Sequence, residues 1–186
     1  MAFVGKVIAI TGGGSGIGLA TAILLASEGA NVSLCDVQQR SLDEAEKQIK
    51  AAQGEVITAL VDVRRQEEVD QWIRATVDKF GQIDGAVNAA GIGGSGILVE
   101  SVHEITDADW DLVFDVNVKG MLRALHAEIP VMKEGGSIVN LASLAGVSAS
   151  MKNATYAASK AAVVSLSRTA AKEQGYRNIR VNSVCP

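Results

Sequence analysis

Lys6-Val7-Ile8-Ala9-Ile10-Thr11 runs directly into Gly12-Gly13-Gly14-Ser15-Gly16-Ile17-Gly18, and these thirteen residues decide the fold. Of the first six, those after Lys6 are apolar or β-branched over the length of a short buried strand. The next seven hold five glycines. After them, Leu19-Ala20-Thr21-Ala22-Ile23-Leu24-Leu25-Ala26-Ser27-Glu28 carries apolar residues at helical spacing, and Gly29 ends the pattern. A glycine triplet alone is explained by any tight turn. Between a strand and a helix its glycines gain a further use, because they let the backbone turn sharply and let an anion approach. The unpaired N–H groups and positive dipole end of the following helix attract that anion. Strand, glycine loop and helix in this order are the setting of a dinucleotide phosphate site.

The same alternation continues along the chain. Strand-like runs fall near 6–11, 31–36, 56–61, 84–88, 136–142 and 179–184, with helical patterns over about 17–28, 40–52, 66–80, 107–132 and 155–174. Alternating strands and helices imply right-handed crossovers and a parallel sheet covered on both faces. Val7-Ile8-Ala9-Ile10 and Gly85-Ala86-Val87 show little polar alternation, as burial on both faces requires. The expected architecture is α/β: a doubly wound parallel sheet of the Rossmann type, strand order 3-2-1-4-5-6. No repeat, low-complexity segment or linker interrupts residues 1–186, which read as one dinucleotide-binding domain.

Composition narrows the function. Net charge is −4, and no basic run or aromatic stripe offers a nucleic-acid surface. Cys35 and Cys185 lie in apolar runs, read as buried free thiols, and have neither metal nor disulfide spacing. His103 and His126 are isolated, which favours surface or capping roles over metal ligation. The first apolar runs are too short for a signal peptide or a membrane span, so the expected location is the cytoplasm. Residues 91–100, with four glycines, read as the most flexible loop.

A second constellation lies near the other end. Tyr156 and Lys160 are four apart, so on a helix they share a face. A phenol has a pKa of about 10, and bringing it to about 7 takes roughly 4 kcal/mol. One positive charge at about 4 Å, at an effective dielectric near 20, supplies a term of that order. The pair has the chemistry of a proton donor and acceptor. Ser143 stands thirteen residues before the tyrosine. By itself the Tyr-x-x-x-Lys spacing is common by chance.

Thr11-Gly12-x-x-x-Gly16-x-Gly18 together with Tyr156-x-x-x-Lys160 resembles the short-chain dehydrogenase/reductase family. Asn88-Ala89-Ala90-Gly91 is similar to that family's Asn-Ala-Gly segment, Asn117 sits where the family keeps a catalytic asparagine, and Ser143 ends a strand as its catalytic serine does. The likeness runs from about residue 5 to the last residue. It implies a nicotinamide-dependent oxidoreductase acting on a secondary alcohol or ketone. Tyr156 would exchange the substrate hydroxyl proton, Lys160 would lower the tyrosine pKa and bind the nicotinamide ribose, Ser143 would hold the substrate oxygen, and Asn117 would hold a water leading from Lys160 to solvent. Each has a plain alternative: Ser143 as a turn cap, Asn117 as a partner for buried backbone groups.

The cofactor residues implied are Gly12, Ser15, Gly16, Ile17 and Gly18 in the loop, Asp62 and Val63 at the adenine, and Asn88, Ala89, Gly91, Tyr156 and Lys160 toward the nicotinamide. Asp36 ends the second strand about 20 residues past the glycines, where a carboxylate binds the adenosine ribose hydroxyls and repels a 2′-phosphate. With Ser15 in the loop and Arg40 the only cation noted nearby, NAD is expected in preference to NADP. A turn-capping Asp36 is the alternative, and for Asp62 a loop-capping role stands almost level. The chain stops at Asn182-Ser183-Val184-Cys185-Pro186, inside a motif that relatives continue. It reads either as a natural short form or, in preference, as a truncated enzyme lacking its last strand and substrate loop, with the sixth strand left as an edge. Gly93 to Ile97 and Leu144 to Asn153 would line the substrate pocket. Helices 107–132 and 155–174, with small Ala157, Ala158, Ala161 and Ala162, would form a homodimer or homotetramer contact. A non-catalytic dinucleotide-binding or interaction module is the alternative function.

Overall fold

The computed structural model describes residues 2–186. Its strands are β1 (Val7–Thr11), β2 (Asn31–Asp36), β3 (Glu55–Leu60), β4 (Ile83–Asn88), β5 (Met132–Leu141) and β6 (Arg180–Val184). Its helices are α1 (Gly16–Ser27), α2 (Gln39–Ala51), α3 (Gln66–Phe80), α4 (Asp107–Phe114), α5 (Gly120–Val131) and α6 (Ala154–Gln174). The six strands form one sheet in the order β3-β2-β1-β4-β5-β6, and every pairing is parallel. This is the doubly wound order expected from the alternation.

Two apolar clusters sandwich the sheet. Ile8, Ile10, Val32, Leu34 and Val87 pack with Ala22 and Ala26 of α1 and Leu42, Ala45 and Ile49 of α2. Ala9, Cys35, Ala86 and Ile138 point the other way, toward Trp72 of α3, Leu125 of α5 and Val163 of α6. Adjacent residues of one strand thus enter opposite clusters, which is why β1 is buried at every position. Between β2 and α3 the buried polar groups pair with one another: the Trp72 indole donates to Ser33 Oγ at 2.8 Å, and Ser33 and Thr76 hydroxyls meet at 2.6 Å. Helix ends follow electrostatic and conformational rules. Glu67 and Glu68 sit in the first turn of α3, Lys79 in its last, and Gly81 closes it with a left-handed φ of 82°.

The expected single helix over 107–132 is divided. Between α4 and α5 lies a five-residue π stretch, Asp115–Lys119. A π turn inserts an extra residue between hydrogen-bonded partners without removing any apolar residue, so periodicity does not reveal it. β5 also starts earlier than residue 136. Met132 pairs with Ile83, then the register shifts before Ser137 pairs with Gly85. Gly135, with φ 77°, supplies the bend. Cys35 is buried, but Cys185, just past β6, is only half-buried, because β6 has a neighbour on one side alone. His103 and His126 are exposed.

The carboxyl ends of the strands deliver the candidate residues to one edge. β1 leads into the glycine loop, β2 ends on Asp36, β3 leads to Asp62, β4 to Ala89–Gly91 and β5 to Ser143. This edge of a doubly wound sheet is where ligands bind.

Candidate active site

A cavity of about 890 Å³ opens along that edge. Gly12, Ser15, Gly16, Ile17, Gly18, Asp36, Asp62, Val63, Ala89, Gly91, Ser143, Tyr156 and Lys160 all line it. Asn88 and Asn117 are buried behind its wall.

At one end the glycine loop is shaped by absent side chains. Gly12 has φ 66°, and a Cβ there would stand 2.8 Å from the Ala90 backbone nitrogen. A Cβ on Gly18 would overlap the Gly12 carbonyl oxygen. Ser15 makes no side-chain capping bond to α1, so the first-turn amides are left to face the cavity. Thr11 Oγ1 accepts from Ala89 N and Ala90 N at 3.1 and 3.2 Å, joining the loop after β4 to the loop after β1.

Asp36 performs the turn-capping task and lines the cavity as well. Its Oδ1 accepts from Gln38 N and its Oδ2 from Gly14 N, each at 3.1 Å. The carboxylate therefore holds the glycine loop in place. Asp62 is likewise a capping residue: Oδ1 accepts from Arg64 N at 2.9 Å, and the Arg64 guanidinium grips the carboxylate through Nε and Nη2. These bonds hold the Asp62 carboxyl below its usual range. Arg64 lines the cavity, whereas Arg40, the cation singled out from sequence, does not. Val63 is buried against Gly120, where a Cβ would press on Val63 Cγ2 at 2.7 Å.

At the other end, α6 presents Tyr156 and Lys160. The ammonium lies 5.6 Å from the tyrosine ring centroid and donates to the Leu141 carbonyl at 2.7 Å. Lys160 is 4% exposed, and burial pushes its pKa down to about 8. The folded state therefore resists protonation that the unfolded chain, at about 10.4, accepts. The destabilisation is present below about pH 8 and is relieved as pH rises toward 10.4. Relative to Lys160→Met, the wild-type chain should gain about 3 kcal/mol across that interval, measurable by urea unfolding at matched pH.

Asn117 sits at the centre of the π stretch and is 1% exposed. Its Oδ1 accepts from Ile92 N at 2.8 Å, and its Nδ2 donates to Ile92 O and Ser159 Oγ at 2.9 and 3.0 Å. It thus satisfies buried backbone and fastens the cavity wall at Ile92 to α6. A Cβ on Gly91 would lie 3.2 Å from both Asn117 Oδ1 and Lys160 Nζ, so glycine there lets these two groups converge. Ser143 Oγ accepts from Ala145 N at 3.2 Å and caps a short turn, Leu144–Gly146. That turn lies tightly on α6, since a Cβ on Gly146 would meet the Lys160 backbone at 2.7 Å. Its closeness sets Ser143 on the same wall as Tyr156 and Lys160.

Asn88, assigned to the cofactor from sequence, turns its side chain away. Its Nδ2 donates to Glu128 Oε2 and Asn140 Oδ1, each at 3.0 Å, beneath the cavity floor. Glu128 was not anticipated. The 91–100 loop, read from sequence as flexible, carries bonds to two other segments: Asp109 Oδ1 accepts from Ser95 N and Oγ at 2.7 and 2.8 Å, and Leu98 N donates to Lys152 O at 2.6 Å.

The family model described as short chain dehydrogenase matches residues 6–186. A short-chain dehydrogenase/reductase, aba4, of Botryotinia fuckeliana is 45% identical over 185 residues, which cover 99% of this chain and 72% of that protein. Levodione reductase of Leifsonia aquatica is 40% identical over 99% of this chain and 69% of its own. A crystal structure of NAD+-bound xylitol dehydrogenase superposes with a TM-score of 0.96 at 37% identity, covering all of this chain and 71% of that one.

Proposed function

The chain belongs to the short-chain dehydrogenase/reductase family of nicotinamide-dependent oxidoreductases, and we propose that it uses NAD to interconvert a secondary alcohol and a ketone, with Tyr156 as the acid/base. The observation that carries this reading is the single cavity with a phosphate-type loop at one end and Ser143, Tyr156 and Lys160 at the other. The nicotinamide accepts or delivers the hydride when bound. The chain's own groups fit a dinucleotide. The α1 amides and the glycine backbone suit a pyrophosphate, and the Asp36 carboxylate suits ribose hydroxyls.

In the proposed chemistry Ser143 Oγ holds the substrate oxygen, and the Tyr156 hydroxyl takes the proton of an alcohol or gives one to a carbonyl. The Lys160 ammonium stands beside the tyrosine, 5.6 Å from its ring centroid. Its bond to Leu141 O fixes its position. Ile97, Leu112 and Val116 offer an apolar wall to a carbon skeleton. The NAD-bound state of the related xylitol dehydrogenase supports the choice of NAD. An outer groove of about 490 Å³, lined by Leu122, Leu125 and Ile129 of α5 and Leu166 of α6, supports association as a homodimer or homotetramer.

The test is titration with NADH and NADPH by fluorescence, followed by loss of reduced-nicotinamide absorbance with a panel of ketones. NADH binding with turnover supports the enzyme. Binding without turnover by a chain extended past Pro186 favours the non-catalytic module. In Asp36→Ala, NADH affinity should fall by about tenfold or more, with the loss of a charge-assisted bond, and the ratio of NADPH to NADH affinity should rise as the like charge is removed. Unchanged affinities for both cofactors would remove Asp36 from the ribose site.

A further inference from the structure

Beneath the cavity floor a chain of side-chain hydrogen bonds crosses four elements. Ser167 of α6 accepts from Asn140 Nδ2 at 2.9 Å, Asn140 Oδ1 of β5 accepts from Asn88 Nδ2, and the same nitrogen of β4 donates to Glu128 Oε2 of α5. Glu128 and Asn140 are fully buried, and Asn88 and Ser167 are 2% exposed. The Asn88 amide has spent both its N–H donors. Two acceptors remain without partners, Asn88 Oδ1 and Glu128 Oε1, and they belong to groups already bonded to each other. Buried acceptors are rarely left unpaired. One proton on Glu128 Oε1 would turn that oxygen into a donor, with Asn88 Oδ1 the open acceptor on the group it already contacts. The closed acid–amide pair would run O–H to Oδ1 and N–H to Oε2.

We propose that Glu128 is a positioning residue that acts as a neutral carboxylic acid, locking Asn88 and Asn140 so that the ends of β4 and β5 hold the reaction wall in place. The lever is short. Asn88 and Asn140 are paired in register. Ala89, Ala90 and Gly91 follow Asn88 into the cavity wall. Leu141, whose carbonyl anchors the Lys160 ammonium, follows Asn140. Through Ser167 the same chain of bonds reaches the helix that carries Tyr156 and Lys160.

The electrostatic surroundings favour the neutral acid. Burial pushes the Glu128 carboxyl up to about 7, against a smaller lowering by the Asn88 amide. No lysine or arginine among the described residues is within ion-pair distance of it. From β2 the neighbouring titratable group is the Cys35 thiol, which burial and then the negative charge of Glu128 raise. From β4, β5 and α6 the groups in contact are the uncharged Asn88, Asn140 and Ser167. Cations of the surrounding elements are committed elsewhere. Lys160 is bonded to Leu141 O, Arg177 to the carbonyls of Ile129 and Met132, and Arg123 of α5 itself to Asp115. On α3, which packs against α5, Asp70 is bonded to Gln66. His126 of α5 is exposed.

The consequence for turnover rests on the oxidoreductase reading of the cavity, whereas the proton on Glu128 stands without it. The full chain, labelled with 13C at the glutamate carboxyls, is titrated by NMR beside Glu128→Gln and Glu128→Ala. One resonance, absent from both variants, should titrate near pH 7, well above the other glutamates. Glutamine reproduces the pair, with an N–H in place of the O–H. Glu128→Gln should therefore keep wild-type turnover below pH 7 and lose the decline that the wild type shows as Glu128 ionises. Glu128→Ala should turn over about tenfold or more slowly and exchange the Ala89, Ala90 and Gly91 amides faster, which Glu128→Gln should not. A Glu128 resonance titrating with the ordinary carboxylates overturns the neutral acid. A resonance near pH 7, with exchange at residues 89–91 unchanged in Glu128→Ala, overturns the positioning role even if no substrate is ever found. A Glu128→Gln profile that still declines like the wild type overturns its link to turnover.

Discussion

Tyr156→Phe is expected to lower turnover by about 10²–10⁴-fold, the usual share of a positioned acid/base, while NADH affinity stays within a few-fold of wild type. The substitution removes one oxygen and keeps the ring, so the contact beside the Lys160 ammonium survives. It leaves untouched Lys160's bond to Leu141 O and the Ser159 hydroxyl that donates to the Tyr156 carbonyl. The fold at this wall should therefore hold, and the loss should fall on kcat. Stopped-flow single turnover with bound cofactor separates this outcome from a binding defect. Turnover within threefold of wild type would transfer the proton to another group. A matched fall in NADH affinity would make Tyr156 a binding residue first.

Gly12→Ala is expected to abolish measurable dinucleotide binding and to destabilise the chain by more than about 2 kcal/mol. Two costs combine. A left-handed φ with a Cβ costs roughly 1–2 kcal/mol. The added carbon also sits 2.8–3.0 Å from backbone atoms of Ala89 and Ala90, with no flexible side-chain end to move aside. Relief requires the loop after β1 to part from the loop after β4, breaking the bonds to Thr11. Gly16→Ala is the internal control. Its φ of 52° is also left-handed, but the space around the new Cβ is open, so only the conformational cost applies, about 1–2 kcal/mol. Thermal unfolding of the two variants should separate them. Equal behaviour would mean that close approach of backbone, as distinct from torsion, is unimportant at Gly12.

Sheet order and the principal site were legible because their signals are local and repeated. β1 is buried at every position, Ala86 and Val87 of β4 enter opposite clusters, and the glycine loop falls between a strand and a helix. What escaped depended on where a side chain turns. Asn88 occupies the position expected from the motif, yet its amide points below the floor. Glu128, a single acid in a mixed helix, reads as a solvated charge. The available signal was its spacing: it stands four residues after Ala124 and three after Leu125, on the buried stripe of α5. Arg64 was overlooked because its role comes from folding back onto Asp62 two residues earlier. The π stretch left no periodic trace. Asn117 and Ser143 show both sides of the alternatives that sequence left open: each satisfies nearby backbone groups, and Ser143 also reaches the cavity.

The Thr11 hydroxyl, gripped by two successive amides of the facing loop, has a mechanical meaning. The segment that would seat the phosphates and the segment that would flank the reacting ring are bolted together by one small side chain, at a point where glycine brings their backbones almost into touch. They form a single jig. The spacing between the two segments is thereby set by the protein's own bonds, so a bound molecule would spend little of its affinity on creating it.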